Sequence, residues 1–324
     1  LPLNVSRELL QTNNIVKVIR KNIVKKCIEM FTELTNDDYN TFYKEYHQNI
    51  KLAIHDDATE SKMMSLLRFQ TAKDSSFISI DEYLNKQGES DDSDEPILYI
   101  TGPSRNSLVN SPYVNGALAQ GDDVLLMIDA IDEYMMQRVQ KYQNHPFINI
   151  SKSNERFHEE RTEFEAVCSS ISNVLGDDIE KVVVSKRLSK DTPCCLVSGA
   201  NGRSANMQRL MNAQTFSANN KMDQIMQQYY DKKIMEINPD NDLIQYFVNN
   251  TDKDHSPTMR LLYETAMLSA GFSQKDPSSY ACRVYNMITL GVTGVLEEEE
   301  PVNVQPEGIG NASVCINDSM ESLD

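Results

Sequence analysis

Tryptophan is absent from the 324 residues, although the chain has 14 tyrosines and 10 phenylalanines. Any aromatic contact surface is therefore built without indole. No apolar run approaches the ~20 residues that a membrane-spanning helix needs, and no stretch reads as a signal peptide. Six cysteines are scattered at positions 27, 168, 194, 195, 282 and 315. None falls in a C-x-x-C pair and none has a histidine at ligand spacing, so no zinc site is expected. The pattern is that of reduced thiols, and a cytoplasmic location is the expectation. Cys194-Cys195 reads as two packed thiols in a strand, because a bridge between neighbours is strained. The chain also lacks G-x-S-x-G, H-E-x-x-H and P-loop motifs. Its five histidines (His47, His55, His145, His158, His255) lie far apart. Thr101-Gly102-Pro103-Ser104 lacks the glycine spacing and lysine of a phosphate loop, and Pro103 has no N–H to donate, so it reads as a turn. No set of residues makes a self-sufficient active site.

Basic residues are missing from 291 to 324, where eight acidic ones supply −8 of the net −17. The body is mildly acidic and the tail strongly so, which argues against nucleic acid as a main partner. The tail has no periodicity and is expected to be disordered.

Patterning over the body predicts a long helix over 9–35. Lys17, Lys21 and Lys25 form a basic stripe on it, and Ile15, Ile19, Ile23 and Cys27 an apolar one. The lysines are either a solvated face or a seat for a phosphate or an acidic partner. Helices follow over 38–49 and 57–68, then a polar loop over 86–95. Strands over 97–101, 124–128 and 147–150 alternate with helices over 106–119 and 132–142, which implies a small parallel sheet with right-handed crossovers. A linker from 151 leads into a helix. Strands over 181–185 and 194–198 precede helices over 204–215, 222–235, 240–248, 258–270 and 277–290. The fold class expected is multidomain α/β plus α+β. It comprises a helical segment and a small βαβαβ unit, then a mostly helical domain and the acidic tail. The last two helices are so apolar that their outer faces must be covered, by their own domain or by a twin hairpin in a two-fold dimer. Met207, Met211, Met222, Met226 and Met235 read as core filler or as adaptable thioethers for promiscuous contacts.

The opening, Leu1-Pro2-Leu3-Asn4-Val5-Ser6-Arg7-Glu8-Leu9-Leu10-Gln11, reads as an extended lead-in, a helix cap and a helix start. Arg7 sits at the mouth of the helix with Gln11 one turn on. A lone arginine there is ordinarily a surface side chain.

This stretch resembles the catalytic loop of the heat-shock protein 90 chaperones, and the match continues through Ile15–Lys26. Further blocks of family text occur in order: Tyr99-Ile100-Thr101-Gly102, Ile131-Asp132-Glu133-Tyr134, Ser204-Ala205-Asn206-Met207, Leu261-Leu262-Tyr263-Glu264-Thr265-Ala266 and Gly271-Phe272-Ser273. The resemblance implies that Arg7 reaches the γ-phosphate of ATP, supported by Gln11, as an arginine finger does. It implies a cytosolic-type, middle-to-C-terminal fragment lacking the N-terminal ATP-binding domain. ATP and Mg then belong to the full-length protein, none is bound by this chain alone, and the chain alone is expected to be inactive. The implied domains are the C-terminal part of a middle domain (1–150), a linker and helix (151–176), a dimerisation domain (177–292) and a disordered tail (293–324). The implied partners are a second copy, held through the C-terminal helices, and unfolded client proteins contacted near Met207, Met222, Met226 and Met235. Tetratricopeptide-repeat co-chaperones are the third, docking on Met320, Glu321, Ser322, Leu323 and Asp324. Arg203 stands where the family usually has tryptophan, and Ser322 and Leu323 depart from its terminal peptide. The function expected is a chaperone segment of an ATP-driven dimeric clamp. The alternative is a non-catalytic dimeric scaffold that binds peptides.

Overall fold

The computed structural model describes residues 14–54, 60–87, 95–200, 202–214, 232–274 and 276–293. Helix α1 (Asn14–Glu33) leaves Ile15, Val18, Ile19 and Ile23 exposed and buries Ile28. Helix α2 (Asn36–Ala53) is capped by Thr35, whose hydroxyl accepts from the Asp38 N–H, and it carries Asp37 and Asp38 in its first turn. Both features suit the positive end of the helix. Tyr39, Tyr43 and Ile50 turn inward from α2 onto Leu67, Phe69 and Ile80.

A five-stranded sheet follows, in the order β1-β3-β2-β5-β4. Its strands are β1 (Gln70–Thr71), β2 (Ile97–Thr101), β3 (Leu125–Met127), β4 (Lys141–Tyr142) and β5 (His145–Asn149). Strand β2 lies at the centre, parallel to β3 (Ile100 opposite Leu126) and to β5 (Leu98 opposite Ile148). All five β2 residues are buried, as a strand covered on both faces requires. The crossover from β2 to β3 is not one helix over 106–119 but two, α3 (Arg105–Val109) and α4 (Pro112–Ala119). Pro112 cannot continue a helix but suits a first helical position, and Ser111 caps the new one by accepting from the Val114 N–H. Helix α5 (Ala130–Arg138) begins in a capping box formed by Asp129 and Asp132. It ends four residues before the sequence-expected limit, because Lys141–Tyr142 pairs with β5 as a hairpin.

A second sheet has the order β6-β7-β9-β8. It is built from β6 (His158–Glu159), β7 (Ile179–Ser185), β8 (Cys194–Ser198) and β9 (Lys233–Ile237). Strand β9 is parallel to β7 and antiparallel to β8. Cys194 and Cys195 are free and point to opposite faces of β8, the first into a core with Met235 and Ile237, the second into one with Ile100 and Ile150. That alternation is the strand's own period and keeps the two thiols apart. Helix α6 (Glu165–Leu175), α8 (Asp242–Asn249) and α9 (Ser256–Ser269) cover one face with Ile171, Phe247, Met259, Tyr263 and Met267. Gly271, at φ +80°, ends α9 in a left-handed turn. Helix α7 (Ala205–Gln214) precedes β9 in the chain.

The two sheets share a core of Leu98, Ile100, Val114, Ile150, Phe157, Cys195, Val197 and Ile234. Backbone bonds between Ser151–Ser153 and Ser198 stitch their edges, and the Tyr113 hydroxyl donates to the Leu196 carbonyl. Gly116 lies so close to the chain at 187 that a Cβ there would overlap the Arg187 carbonyl oxygen. The last helix among the described residues, α10 (Pro277–Thr293), falls from Ser278 onward in a separate compact unit. It leaves Tyr285, Met287, Ile288 and Val292 exposed. The expected tail lies outside the described residues.

Candidate functional site

Three carboxylates buried at helix and strand junctions fix the geometry of the body. Strand β9 reads Lys-Ile-Met-Glu-Ile and is buried at every position, which places Glu236 where a charge needs a partner. Arg187 supplies it with two bonds, Nε to Oε2 at 3.0 Å and Nη2 to Oε1 at 2.9 Å. Its third nitrogen, Nη1, donates to the Ile150 carbonyl at 2.6 Å. The Ser185 hydroxyl donates to Oε2 at 3.2 Å, and His158 Nε2 lies 3.3 Å from Oε1. The guanidinium also lies over the Phe157 ring, 4.2 Å from its centroid. Burial pushes the Glu236 carboxyl up, but Arg187 and His158 outweigh it and hold the group below its usual range. Arg187 thus ties β9, β7 and the end of β5 together.

Glu133 does the same between α5, β2 and α7. Its Oε1 accepts from Thr101 Oγ1 at 2.6 Å, Ser204 Oγ at 2.6 Å and Asn206 Nδ2 at 3.1 Å. Ser204 Oγ in turn accepts from the Met207 N–H at 3.0 Å, so the start of α7 hangs on this carboxylate. Burial lowers the Lys152 ammonium, and the charge of Glu133 partly opposes that.

The third junction joins α2 to α5. Lys51 Nζ lies 2.6 Å from Asp129 Oδ2 and 2.7 Å from Asp132 Oδ1, and His47 Nε2 lies 3.2 Å from Asp129 Oδ1. Burial raises the Asp132 carboxyl above its usual range, with Lys51 pulling the other way.

The Glu133 junction holds the start of α7, where one of the methionines singled out by the sequence lies. Met207 is half-buried near the start of α7, with its sulfur 4.0 Å from Gln137 Nε2 of α5. Met235 is not brought beside it. The stretch expected as a helix over 222–235 ends in strand β9, where Met235 is fully buried between β7 and β8, so it is core and not contact surface. Arg7, Gln11, Met222, Met226 and Met320, Glu321, Ser322, Leu323 and Asp324 lie outside the described residues. Among the described residues, no group of three His, Cys, Asp or Glu is arranged to hold a metal ion. No helix among them is long and apolar enough to cross a membrane.

Sequence reasoning missed the three junctions. A signal for one was present, a glutamate inside an otherwise apolar strand at Ile234-Met235-Glu236-Ile237. Another was the Asp132-Glu133 pair, noted only as family text.

The class of protein is defined by comparison with known proteins. The Hsp90 protein family model matches residues 1–312, and the chain belongs to this chaperone family. Heat shock protein 83 of Leishmania donovani is 38% identical over 344 aligned positions, covering 100% of this chain and 74% of that protein. An endoplasmin homolog of Dictyostelium discoideum is 35% identical over 90% of the chain and 40% of its own length. Heat shock protein 90-5, chloroplastic, of Arabidopsis thaliana is 33% identical over 95% of the chain and 41% of its own length. The chain therefore spans about two fifths of the latter two relatives.

These matches correct one expectation. The resemblance implied ATP and Mg for the full-length protein and none bound by this chain alone. That exclusion is overturned: the family match runs through residues 1–312, and relatives align over 90–100% of the chain. Nucleotide binding is therefore not assigned away from this chain.

Proposed function

We propose that the chain works in a cytoplasmic, ATP-driven dimeric clamp that holds unfolded client proteins. The observation that carries the reading is α10. It presents Tyr285, Ile288 and Val292 at i, i+3 and i+7, with exposures of 66%, 56% and 80%. An apolar stripe this open on one helix suits isologous pairing with its twin in a second copy. In this reading the chain is organised as α/β plus α+β domains with boundaries near 150, 176 and 292. Met207, with Met222 and Met226, contacts clients. Arg7, supported by Gln11, stabilises charge on the γ-phosphate of ATP. The acidic tail, through Met320–Asp324, docks on basic clamps of tetratricopeptide-repeat co-chaperones, and Asp324 offers two carboxylates.

The direct test is suppression of aggregation. Citrate synthase warmed with an equimolar amount of the chain should scatter less light than citrate synthase warmed with an inert protein. Undiminished scattering at a several-fold excess of the chain would refute a client-holding role.

A further inference from the structure

The three parallel strands carry a crevice that the chaperone reading does not use. The chain leaves β2 towards β3 on one side, then crosses back to place β5 on the other side of β2. In open α/β sheets that reversal leaves a gap outside the carboxyl ends of the two strands, where small ligands bind. The structure has a cavity of about 270 Å³ at this place. Its floor is Thr101 at the end of β2, Gly102 and Pro103 beyond it, and Ser151 after β5. This is the turn that fails as a phosphate loop, and the cavity is of another kind: its lining is largely apolar, and Arg209 of α7 is the sole charged side chain among the described residues on its wall. Asn206 Oδ1 accepts from Arg209 Nη2 at 2.9 Å and steadies the guanidinium there. The buried carboxylate behind the wall, Glu133, already accepts from three donors through Oε1.

We infer that this crevice is a binding site for a small amphipathic carboxylate, its apolar body against Ile100, Leu108 and Leu268 and its charge on Arg209. A volume of 270 Å³ sits at the lower edge of ligand sites, which suits a body of roughly 10–15 non-hydrogen atoms. The occupant touches the β2 turn, the first turn of α7 and the end of α9 together. Binding therefore fastens α7, which carries Met207, to the sheet.

The test uses 2-naphthoate as the probe and its neutral amide as the control, titrated calorimetrically into the full chain. The expected dissociation constant is of order 0.1 mM for the carboxylate, and about tenfold weaker for the amide, the worth of one exposed charge-assisted contact. Ser107→Phe places a ring at the exposed mouth and should abolish binding. Arg209→Met should make carboxylate and amide bind equally. A thermal midpoint unchanged from the parent shows that each variant is folded. Amide exchange at 205–209 should slow when 2-naphthoate is bound. No binding at millimolar probe, binding that survives Ser107→Phe, or a carboxylate preference that survives Arg209→Met would each overturn the proposal. None of these outcomes bears on client holding, which is read by aggregation.

Discussion

Replacing Arg187 by methionine removes the partner of a fully buried carboxylate and keeps an unbranched apolar stem in its place. Glu236 is 0% exposed and Arg187 is 3% exposed. After the change Glu236 retains the Ser185 hydroxyl, His158 and, at 3.7 Å, the Cys195 thiol. Breaking a buried pair from one side costs about 3–5 kcal/mol, a large share of the stability of a domain. The loss has a pH signature. In the parent, the folded pKa of Glu236 is held below its unfolded value. Its contribution is therefore present above the unfolded value and disappears as pH falls through the folded one. Without Arg187, burial dominates and the folded pKa rises above the unfolded value. The variant then takes up a proton on folding and recovers stability as the pH drops from about 7.5 to about 5. Urea unfolding of parent and variant at the two pH values reads this directly. With no tryptophan in the chain, far-ultraviolet circular dichroism or tyrosine emission is the signal. A deficit below about 1 kcal/mol, or one that does not shrink in acid, would refute the reasoning. The double change Arg187→Met with Glu236→Leu should recover most of the loss.

Other outcomes follow from the same packing. Glu133→Gln replaces an anion that accepts from three donors, and should cost about 1–3 kcal/mol and speed amide exchange at the start of α7, read by mass spectrometry. Gly116→Ala should destabilise by roughly 1–3 kcal/mol, because the new methyl meets the rigid backbone at 187; an unchanged thermal midpoint would contradict that close approach. Burial pushes the Cys194 thiol up to about 12 and raises Cys195 well above its ordinary value. Iodoacetamide near pH 8 should therefore label exposed Cys282 while sparing both until the chain unfolds, as peptide mapping would show.

The elements that were legible in the sequence are those whose pattern is local. Strand β2 is a short apolar run between a polar loop and a Gly-Pro turn, and its bounds, Ile97–Thr101, are those the alternation gives. The start of α9 is marked by Pro257 and its end by Gly271. What was illegible depends on distant partners. Strand β9 reads as well for a helix as for a strand until β7 and β8 flank it. Strands β1, β4 and β6 are two residues each and exist only through their neighbours. The break between α3 and α4 was available in Ser111-Pro112, had the proline been weighed against the apolar run around it. Met207 was singled out by composition and family text, and the structure places it half-buried near the start of α7. Met235 was misplaced for the reason that misplaced β9. The carboxylate joints of Glu133 and Glu236 went unread because their donors lie as far as 73 and 78 residues away.

Molar mass measured by light scattering across a dilution series tests the clamp most directly. The intact chain should have the mass of a dimer at micromolar concentration. Ile288→Asp with Val292→Asp, both on the exposed face of α10, should bring it to the monomer mass with circular dichroism unchanged. An intact chain that is monomeric at that concentration, or a dimer indifferent to the two aspartates, would contradict the account.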